Sequence, residues 1–122
     1  MTYSVEDKVS GNVFYRLIGG HIDFEEPANI ALAREFKEEI DKEINIIQKL
    51  DVFENIYFYN GQNCHEFVSL FLVDFLDDTM YDIDCIKGHE GPSRTYKACW
   101  LPIEDFKNNK KKLYPLEILS YI

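Results

Sequence analysis

Three glutamates on one short stretch of the chain are the side chains best suited to chemistry. The stretch, residues 19–40, reads GGHIDFEEPANIALAREFKEEI and places Glu35, Glu38 and Glu39 at positions i, i+3 and i+4. On a helix these positions share one face, so the three carboxylates project toward a common volume and repel one another. A hard divalent cation such as Mg²⁺ takes carboxylate oxygens as ligands. The spacing therefore indicates a metal-binding face, with a solvated acidic helix surface as the alternative.

A glycine upstream of the glutamates adds a second element to this candidate site. Gly20 carries no side chain, so its backbone carbonyl can approach a ligand closely. The candidate metal ligands are Gly20, Glu35, Glu38 and Glu39.

A strand, a loop and a helix are predicted to position these residues. The segment NVFYRLI, residues 12–18, mixes β-branched, aromatic and polar residues and stops at a double glycine, which predicts a strand that enters a loop. Pro27 suits the first turn of a helix. Leu32, Phe36 and Ile40 then form an apolar stripe at helical spacing, so we expect a helix of about three to four turns.

The rest of the chain predicts a hairpin followed by mostly irregular structure. Residues 44–59 and 65–76 are rich in β-formers, and the Asn60-Gly61 pair between them favours a hairpin turn. Residues 77–97 are polar and contain Gly88, Gly91 and Pro92, which indicates a long loop before a short strand at ACWLP, residues 98–102. Short helices are expected over residues 103–107 and 115–121.

Residues 20–42 resemble the signature of the Nudix hydrolases. That signature is Gly, five residues, Glu, seven residues, Arg-Glu, a hydrophobic residue, any residue, Glu-Glu, any residue, Gly and a hydrophobic residue. The matching positions are Gly20, Glu26, Arg34, Glu35, Phe36, Glu38 and Glu39. Asp41 replaces the family's second glycine and Lys42 its last hydrophobe. Because that glycine normally ends the helix in a left-handed conformation, we expect a small cost in stability or geometry at Asp41.

The resemblance covers residues 12–107 and implies a fold. We expect a single domain over residues 1–122, an α/β/α sandwich in which a mixed β-sheet lies between the signature helix and the C-terminal helix. Family members usually carry one to two more strands before the segment that begins here at Met1. We therefore expect N-terminal strands that are shortened, or a homodimer in which a neighbouring chain supplies the missing sheet edge.

The resemblance also implies an activity, the hydrolysis of a nucleoside diphosphate linked to another group by attack of water on phosphorus. The expected cofactor is Mg²⁺, with Mn²⁺ as a substitute, held by the candidate ligands, of which Glu38 and Glu39 are also assigned to catalysis. Nucleoside triphosphates, nucleotide sugars and dinucleoside polyphosphates all remain open as substrates. The alternative is a nucleotide-binding or regulatory protein with weak turnover.

Four further residues receive roles on the same basis. Arg34 is interpreted as a positioning residue paired with an acidic neighbour such as Glu26, or as part of a surface ion pair. Glu90, in KGHEGPS, is the first candidate for the general base, and Glu66 is the second. Arg16, just ahead of the glycines, is a candidate phosphate contact.

Composition limits the partners and the compartment. A net charge of -9 disfavours binding to nucleic acid polymers. Three cysteines without C-x-x-C spacing indicate neither a complete disulfide framework nor a zinc site, so we expect a reducing compartment. The chain shows no signal peptide pattern, and no apolar run approaches the roughly 20 residues of a spanning helix. A cytoplasmic protein without a membrane segment is expected.

Overall fold

Six strands and two helices, together with two short 3₁₀ helices, form the computed structural model, which describes residues 1–122. The strands are β1 (Thr2–Glu6), β2 (Val13–Leu17), β3 (Ile44–Tyr59), β4 (Gln62–Phe75), β5 (Cys85–Glu90) and β6 (Arg94–Cys99). The helices are α1 (Ala28–Ile40) and α2 (Ile103–Lys107), and the 3₁₀ helices are Asp78–Tyr81 and Leu116–Tyr121. None of these helices has the length and apolar character needed to cross a membrane.

Strands β2, β1, β6 and β5 form one four-stranded sheet in that order, with every neighbouring pair antiparallel. Its parallel component is a single bridge between Tyr15 and Leu113. Strand β1 was not predicted, yet it lies inside this sheet between β2 and β6. Tyr3 and Val5 on β1 are buried in the core, which explains why so short a strand is held in place.

The four-stranded sheet packs a separate apolar core on each face, because neighbouring side chains of a strand point to opposite sides. On one face, Phe36 and Ile40 of α1 join Tyr3 and Val5. On the other face, Phe106 of α2 clusters with residues of the C-terminal segment and of β4, which are Leu113, Ile118 and Leu70. The predicted α/β/α sandwich is confirmed.

Strands β3 and β4 form the predicted hairpin as a second, two-stranded sheet. Asn60 and Gly61 connect them with backbone φ angles of 52° and 77°. Two consecutive residues with positive φ are what a tight hairpin turn of the right twist requires, and Asn-Gly adopts that conformation at low cost.

The prediction of a loop over residues 77–97 was wrong. This segment contains the 3₁₀ helix Asp78–Tyr81, all of β5 and the start of β6. Gly91, with φ of 70°, lies in the turn that joins the two strands. Gly88, which favoured a loop, lies within β5. The late strand, predicted over residues 98–102, begins at Arg94 and ends at Cys99.

Two of the three cysteines are joined, which the cysteine spacing did not predict. Cys85 and Cys99 form a disulfide between β5 and β6, and Cys64 is free. The two bonded residues are 14 positions apart, but they face each other as a pair in the antiparallel ladder. The fold, rather than the local spacing, brings the two thiols together.

Candidate active site

The loop between β2 and α1 brings Gly20 against Glu35. A methyl group at position 20 would lie 2.6 Å from both carboxylate oxygens of Glu35. Only glycine leaves room for this carboxylate, because the contact is much shorter than a van der Waals separation. Two of the predicted metal ligands are therefore neighbours, although 15 positions separate them in the sequence.

Arg34 lies at the centre of an ion-pair network on α1. Its Nε and Nη2 atoms donate to the two carboxylate oxygens of Glu26 at 2.8 and 2.9 Å. Its Nη1 atom donates to Glu35 at 3.0 Å and to Glu38 at 3.1 Å. The two-pronged hydrogen bond from Arg34 lowers the pKa of Glu26 and raises that of Arg34 itself. Arg34 thus pairs with Glu26, as the sequence analysis expected, and also with Glu35 and Glu38.

Glu39 is the most deeply buried of the glutamates on α1. Only 4% of its surface is exposed. Its Oε1 atom accepts a hydrogen bond of 3.0 Å from the Tyr96 hydroxyl, whereas its Oε2 atom is buried without a hydrogen-bond partner. Burial raises the pKa of Glu39 to about 8; the hydrogen bond from Tyr96 opposes this rise and the neighbouring Glu35 adds to it. A buried carboxylate oxygen without a partner is costly unless a ligand uses it.

The donors at this site fit a hard divalent cation. Glu35, Glu38 and Glu39 offer carboxylate oxygens, and the loop at Gly20 offers a backbone carbonyl. No three His, Cys, Asp or Glu side chains converge on a single point in this structure. Arg34 engages Glu35 and Glu38, and Tyr96 engages Glu39. The Glu38 side chain is 59% exposed, so it can change its rotamer at little cost.

Both candidates for the general base face the same cavity as the glutamates of α1. The cavity has a volume of about 1240 Å³. Glu90, at the end of β5, accepts a 2.9 Å hydrogen bond from the Tyr3 hydroxyl and lies 3.4 Å from Arg94. Glu66, on β4, accepts a 3.1 Å hydrogen bond from Asn55. Each carboxylate accepts one side-chain hydrogen bond, and Glu90 also pairs with Arg94, so the geometry does not choose between them.

Arg16 is a cation on the wall of this cavity. It lies on β2 opposite Tyr3 of β1 and lines the same space as the glutamates of α1. None of the ion pairs of the chain involves it. Arg94 lines the cavity as well, and the sequence analysis did not single it out. These two guanidinium groups add to the positive charge that Arg34 places among the glutamates.

A comparison with protein-family models matches residues 4–119 to the NUDIX domain. The chain belongs to the Nudix family. No curated protein matches it. The family is one of pyrophosphohydrolases that act on small nucleotide substrates and generally use divalent metals.

The two residues that depart from the Nudix signature, Asp41 and Lys42, each make contacts at the end of the Nudix helix. Asp41 adopts the left-handed conformation of the missing glycine, with φ of 55° and ψ of 41°, and its N–H donates to the carbonyl of Lys37. Its carboxylate also lies 2.9 Å from the Lys37 ammonium group. Lys42 pairs with Asp77 at 2.9 Å, which joins the end of the Nudix helix to the segment after β4.

Three residues around the Nudix glutamates were missed by sequence reasoning. Tyr3 and Tyr96 bind carboxylates of the site through their hydroxyl groups, and Gly88 lies directly against the ring of Tyr96. All three belong to strands that were unpredicted or assigned to a loop. The only sequence signal was the isolated Gly88, since a glycine inside a strand marks a close approach of another group.

Proposed function

We propose that the chain is a divalent-metal-dependent pyrophosphohydrolase that cleaves a nucleoside diphosphate linked to another group. The observation that carries this proposal is the buried, unpartnered Oε2 atom of Glu39, next to Glu35. A structural carboxylate would be expected to have both oxygens satisfied. A carboxylate oxygen held in this state beside a cavity is suited to bind a cation.

Glu35, Glu38, Glu39 and the carbonyl of Gly20 are the proposed ligands of the cation, Mg²⁺ or in its place Mn²⁺. When bound, such a cation neutralises phosphate charge and lowers the pKa of water. Arg34 keeps Glu35 and Glu38 in place through its ion pairs.

The other charged residues of the cavity receive roles in binding and proton transfer. Arg16 is proposed to contact phosphate oxygens, since its guanidinium group has no carboxylate partner in the chain. Glu90 is proposed to take a proton from the attacking water, and Glu66 is the second candidate for this step. Attack of water on phosphorus breaks the pyrophosphate bridge, and the proton passes to the carboxylate.

The substrate is proposed to be a nucleoside triphosphate, a nucleotide sugar or a dinucleoside polyphosphate. The cavity is large enough for a nucleotide, because ligand pockets commonly measure roughly 300–1,000 Å³. We further propose that residues 1–122 act as one domain, without nucleic acid polymers as partners; the Cys85–Cys99 disulfide removes the basis for expecting a reducing compartment. A homodimer is part of the proposal, and sedimentation velocity over a range of concentrations would test it.

Product release from a panel of these nucleotides tests the proposal. Nucleoside monophosphate and phosphate are measured with Mg²⁺ and then with Mn²⁺, for the native chain, for Glu38→Gln and for Glu117→Gln. Glu117 is an exposed glutamate on the C-terminal 3₁₀ helix, so it controls for the loss of one negative charge. We expect metal-dependent release that Glu38→Gln lowers by about 10²-fold or more and Glu117→Gln leaves unchanged.

Binding without release would instead support the alternative, a nucleotide-binding or regulatory protein of the same family. Equilibrium dialysis with the same nucleotides and Mn²⁺ separates these outcomes. If the native chain neither released product nor bound these nucleotides, both the hydrolase proposal and the nucleotide-binding alternative would be overturned.

A further inference from the structure

Two stacked tyrosines connect the buried glutamate of α1 with the candidate general base. We infer that Tyr96 is a positioning residue that holds Glu39 so that its second oxygen faces a cation, and that Tyr3 supports it while orienting Glu90. This inference rests on the proposed function, since it concerns the proposed metal site. It adds two side chains that do not contact the cation themselves.

The two tyrosines form one unit. Their ring centroids are 4.3 Å apart and their planes differ by 17°. The Tyr96 hydroxyl donates to Glu39 at 3.0 Å, and the Tyr3 hydroxyl donates to Glu90 at 2.9 Å. Tyr3 itself is 5% exposed, so neither ring can move far without disturbing the core. The two tyrosines, on β6 and β1, therefore hold a carboxylate of α1 and a carboxylate of β5.

The backbone of β5 is shaped to accept the Tyr96 ring. Gly88 is the residue that pairs with Tyr96 across the β5–β6 ladder. A methyl group at position 88 would lie 2.7 Å from the Tyr96 hydroxyl oxygen and closer still to the ring carbons. An aromatic ring that covers a glycine of the neighbouring strand is a known device for stabilising sheets. Phenylalanine would serve that packing purpose equally well, so packing alone does not explain the hydroxyl group.

The hydroxyl group is explained by the asymmetry of Glu39. One carboxylate oxygen accepts the hydrogen bond from Tyr96 and the other has no partner. A hydrogen bond to one oxygen restricts the carboxylate rotamer and leaves the second oxygen as a ligand of fixed direction. Partners that orient a metal ligand from behind commonly change metal affinity by about 10- to 100-fold when removed.

The test is the Mn²⁺ affinity of the whole chain, measured by electron paramagnetic resonance without substrate. Tyr96→Phe keeps the ring and removes the hydroxyl, and we expect Mn²⁺ binding about 10-fold or more weaker. In a Glu39→Gln background, the same substitution should have no further effect, because its target carboxylate is gone. Tyr3→Phe should leave Mn²⁺ affinity unchanged and lower turnover at saturating metal.

Tyr15→Phe is the matched control. Tyr15 packs on the opposite face of the sheet, against Phe106, so loss of its hydroxyl should alter neither metal affinity nor turnover. Native Mn²⁺ affinity in Tyr96→Phe would overturn this inference and leave the proposed function standing. A further loss of affinity in the Glu39→Gln background would overturn it as well, since Tyr96 would then act by another route. A native chain that binds no Mn²⁺ would overturn both the metal site and the inference.

Discussion

At the scale of single residues, the site depends on how like charges are held together. Arg34 donates to Glu26, Glu35 and Glu38 and to the backbone carbonyl of His21, which offsets repulsion among the acidic groups. Glu39 lies outside this network and depends on Tyr96 instead. The glutamates of α1 are thus held by two different groups, the guanidinium group of Arg34 and the hydroxyl group of Tyr96.

The two candidates for the general base can be separated by substitution. Glu90→Gln should lower kcat by about 10²-fold or more and change KM little, because glutamine keeps the shape and the bond from Tyr3 but cannot accept a proton. Glu66→Gln is the matched comparison at the other carboxylate of the cavity. Steady-state kinetics at saturating Mg²⁺ measure both. A large loss of kcat in Glu66→Gln alone would transfer the role to Glu66.

Sequence reasoning identified the residues of the site that lie close together in the chain. Gly20, Glu35 and Arg34 belong to one signature, so the resemblance to the Nudix family implied that they lie in one site. Tyr3 and Tyr96 could not be predicted in this way. They lie 93 positions apart in the chain, and only the pairing of β1 with β6 and of β6 with β5 brings both of them to the glutamates of α1.

At the scale of elements, α1, the β3–β4 hairpin, the short strand β2 and the short helices after residue 102 were predicted, whereas β1, β5 and most of β6 were not. The helix and the hairpin have strong periodic or turn signals, so both were predicted. Strands β1, β5 and β6 have five or six residues each. β5 also contains Lys87, Gly88 and His89, whose polar character resembles a loop when read alone. Its strand conformation comes from the ladder with β6, which is a tertiary effect.

The end of α1 carries a testable departure from the Nudix signature. Asp41→Gly should change the melting temperature by no more than about 2 °C. Glycine favours the left-handed conformation, but it also increases the conformational entropy of the unfolded chain, and the two effects oppose each other. Asp41→Val should lower the melting temperature by about 3 to 6 °C, because a β-branched residue is strained at φ of 55°. Differential scanning calorimetry checks both. Equal melting temperatures for Gly and Val would show that the backbone at this position does not limit stability.

The β5–β6 hairpin should also be sensitive at Gly88. Gly88→Ala adds a methyl group against the Tyr96 ring, which must shift away from Glu39. We expect a loss of about 1 to 3 kcal/mol in the free energy of unfolding, as is typical for overpacking, together with weaker Mn²⁺ binding. Urea unfolding and Mn²⁺ titration measure these effects.

Gly91→Ala is a comparison within the same hairpin. A methyl group there has open space but would be strained at φ of 70°. Gly91→Ala should therefore lower stability without changing Mn²⁺ affinity. If Gly88→Ala bound Mn²⁺ as tightly as the native chain, the ring of Tyr96 would not be what orients Glu39.

At the scale of the whole molecule, the burial of Glu39 makes its ionised form unfavourable. The chain carries a net charge of -9, and Glu39 is a carboxylate in the core beside a second carboxylate. Burial raises its pKa from the model-compound value of 4.5 to about 8. Between these two values, the folded chain binds more protons at Glu39 than the unfolded chain does. The stability contributed by Glu39 is therefore complete below pH 4.5 and is lost as the pH rises through 8.

Other groups make the free energy of unfolding increase with pH rather than decrease. The effect of Glu39 must therefore be measured as a difference between the native chain and Glu39→Gln. Hydrogen bonds from Thr79 and Lys42 lower the pKa of Asp77 to about 2, and the stability it contributes is lost as the pH falls from about 4 toward 2. Burial lowers the pKa of the Met1 amino group to about 6, which favours folding as the pH rises from 6 to 8. Both contributions are the same in the native chain and in Glu39→Gln.

We therefore expect Glu39→Gln to become more stable than the native chain as the pH increases from 5 to 8 in the presence of a chelator. Glutamine keeps the hydrogen bond to Tyr96 but has no charge to desolvate. The difference in the free energy of unfolding between the two chains should therefore grow by more than about 1.4 kcal/mol, the equivalent of one pKa unit. Urea unfolding at pH 5, 6.5 and 8 measures it. Added Mg²⁺ should narrow the gap at pH 8, because a cation bound to the Glu39 carboxylate stabilises only the native chain. A gap that does not vary with pH would mean that Glu39 is ionised in the folded chain throughout, and that its neighbours rather than its burial set its charge.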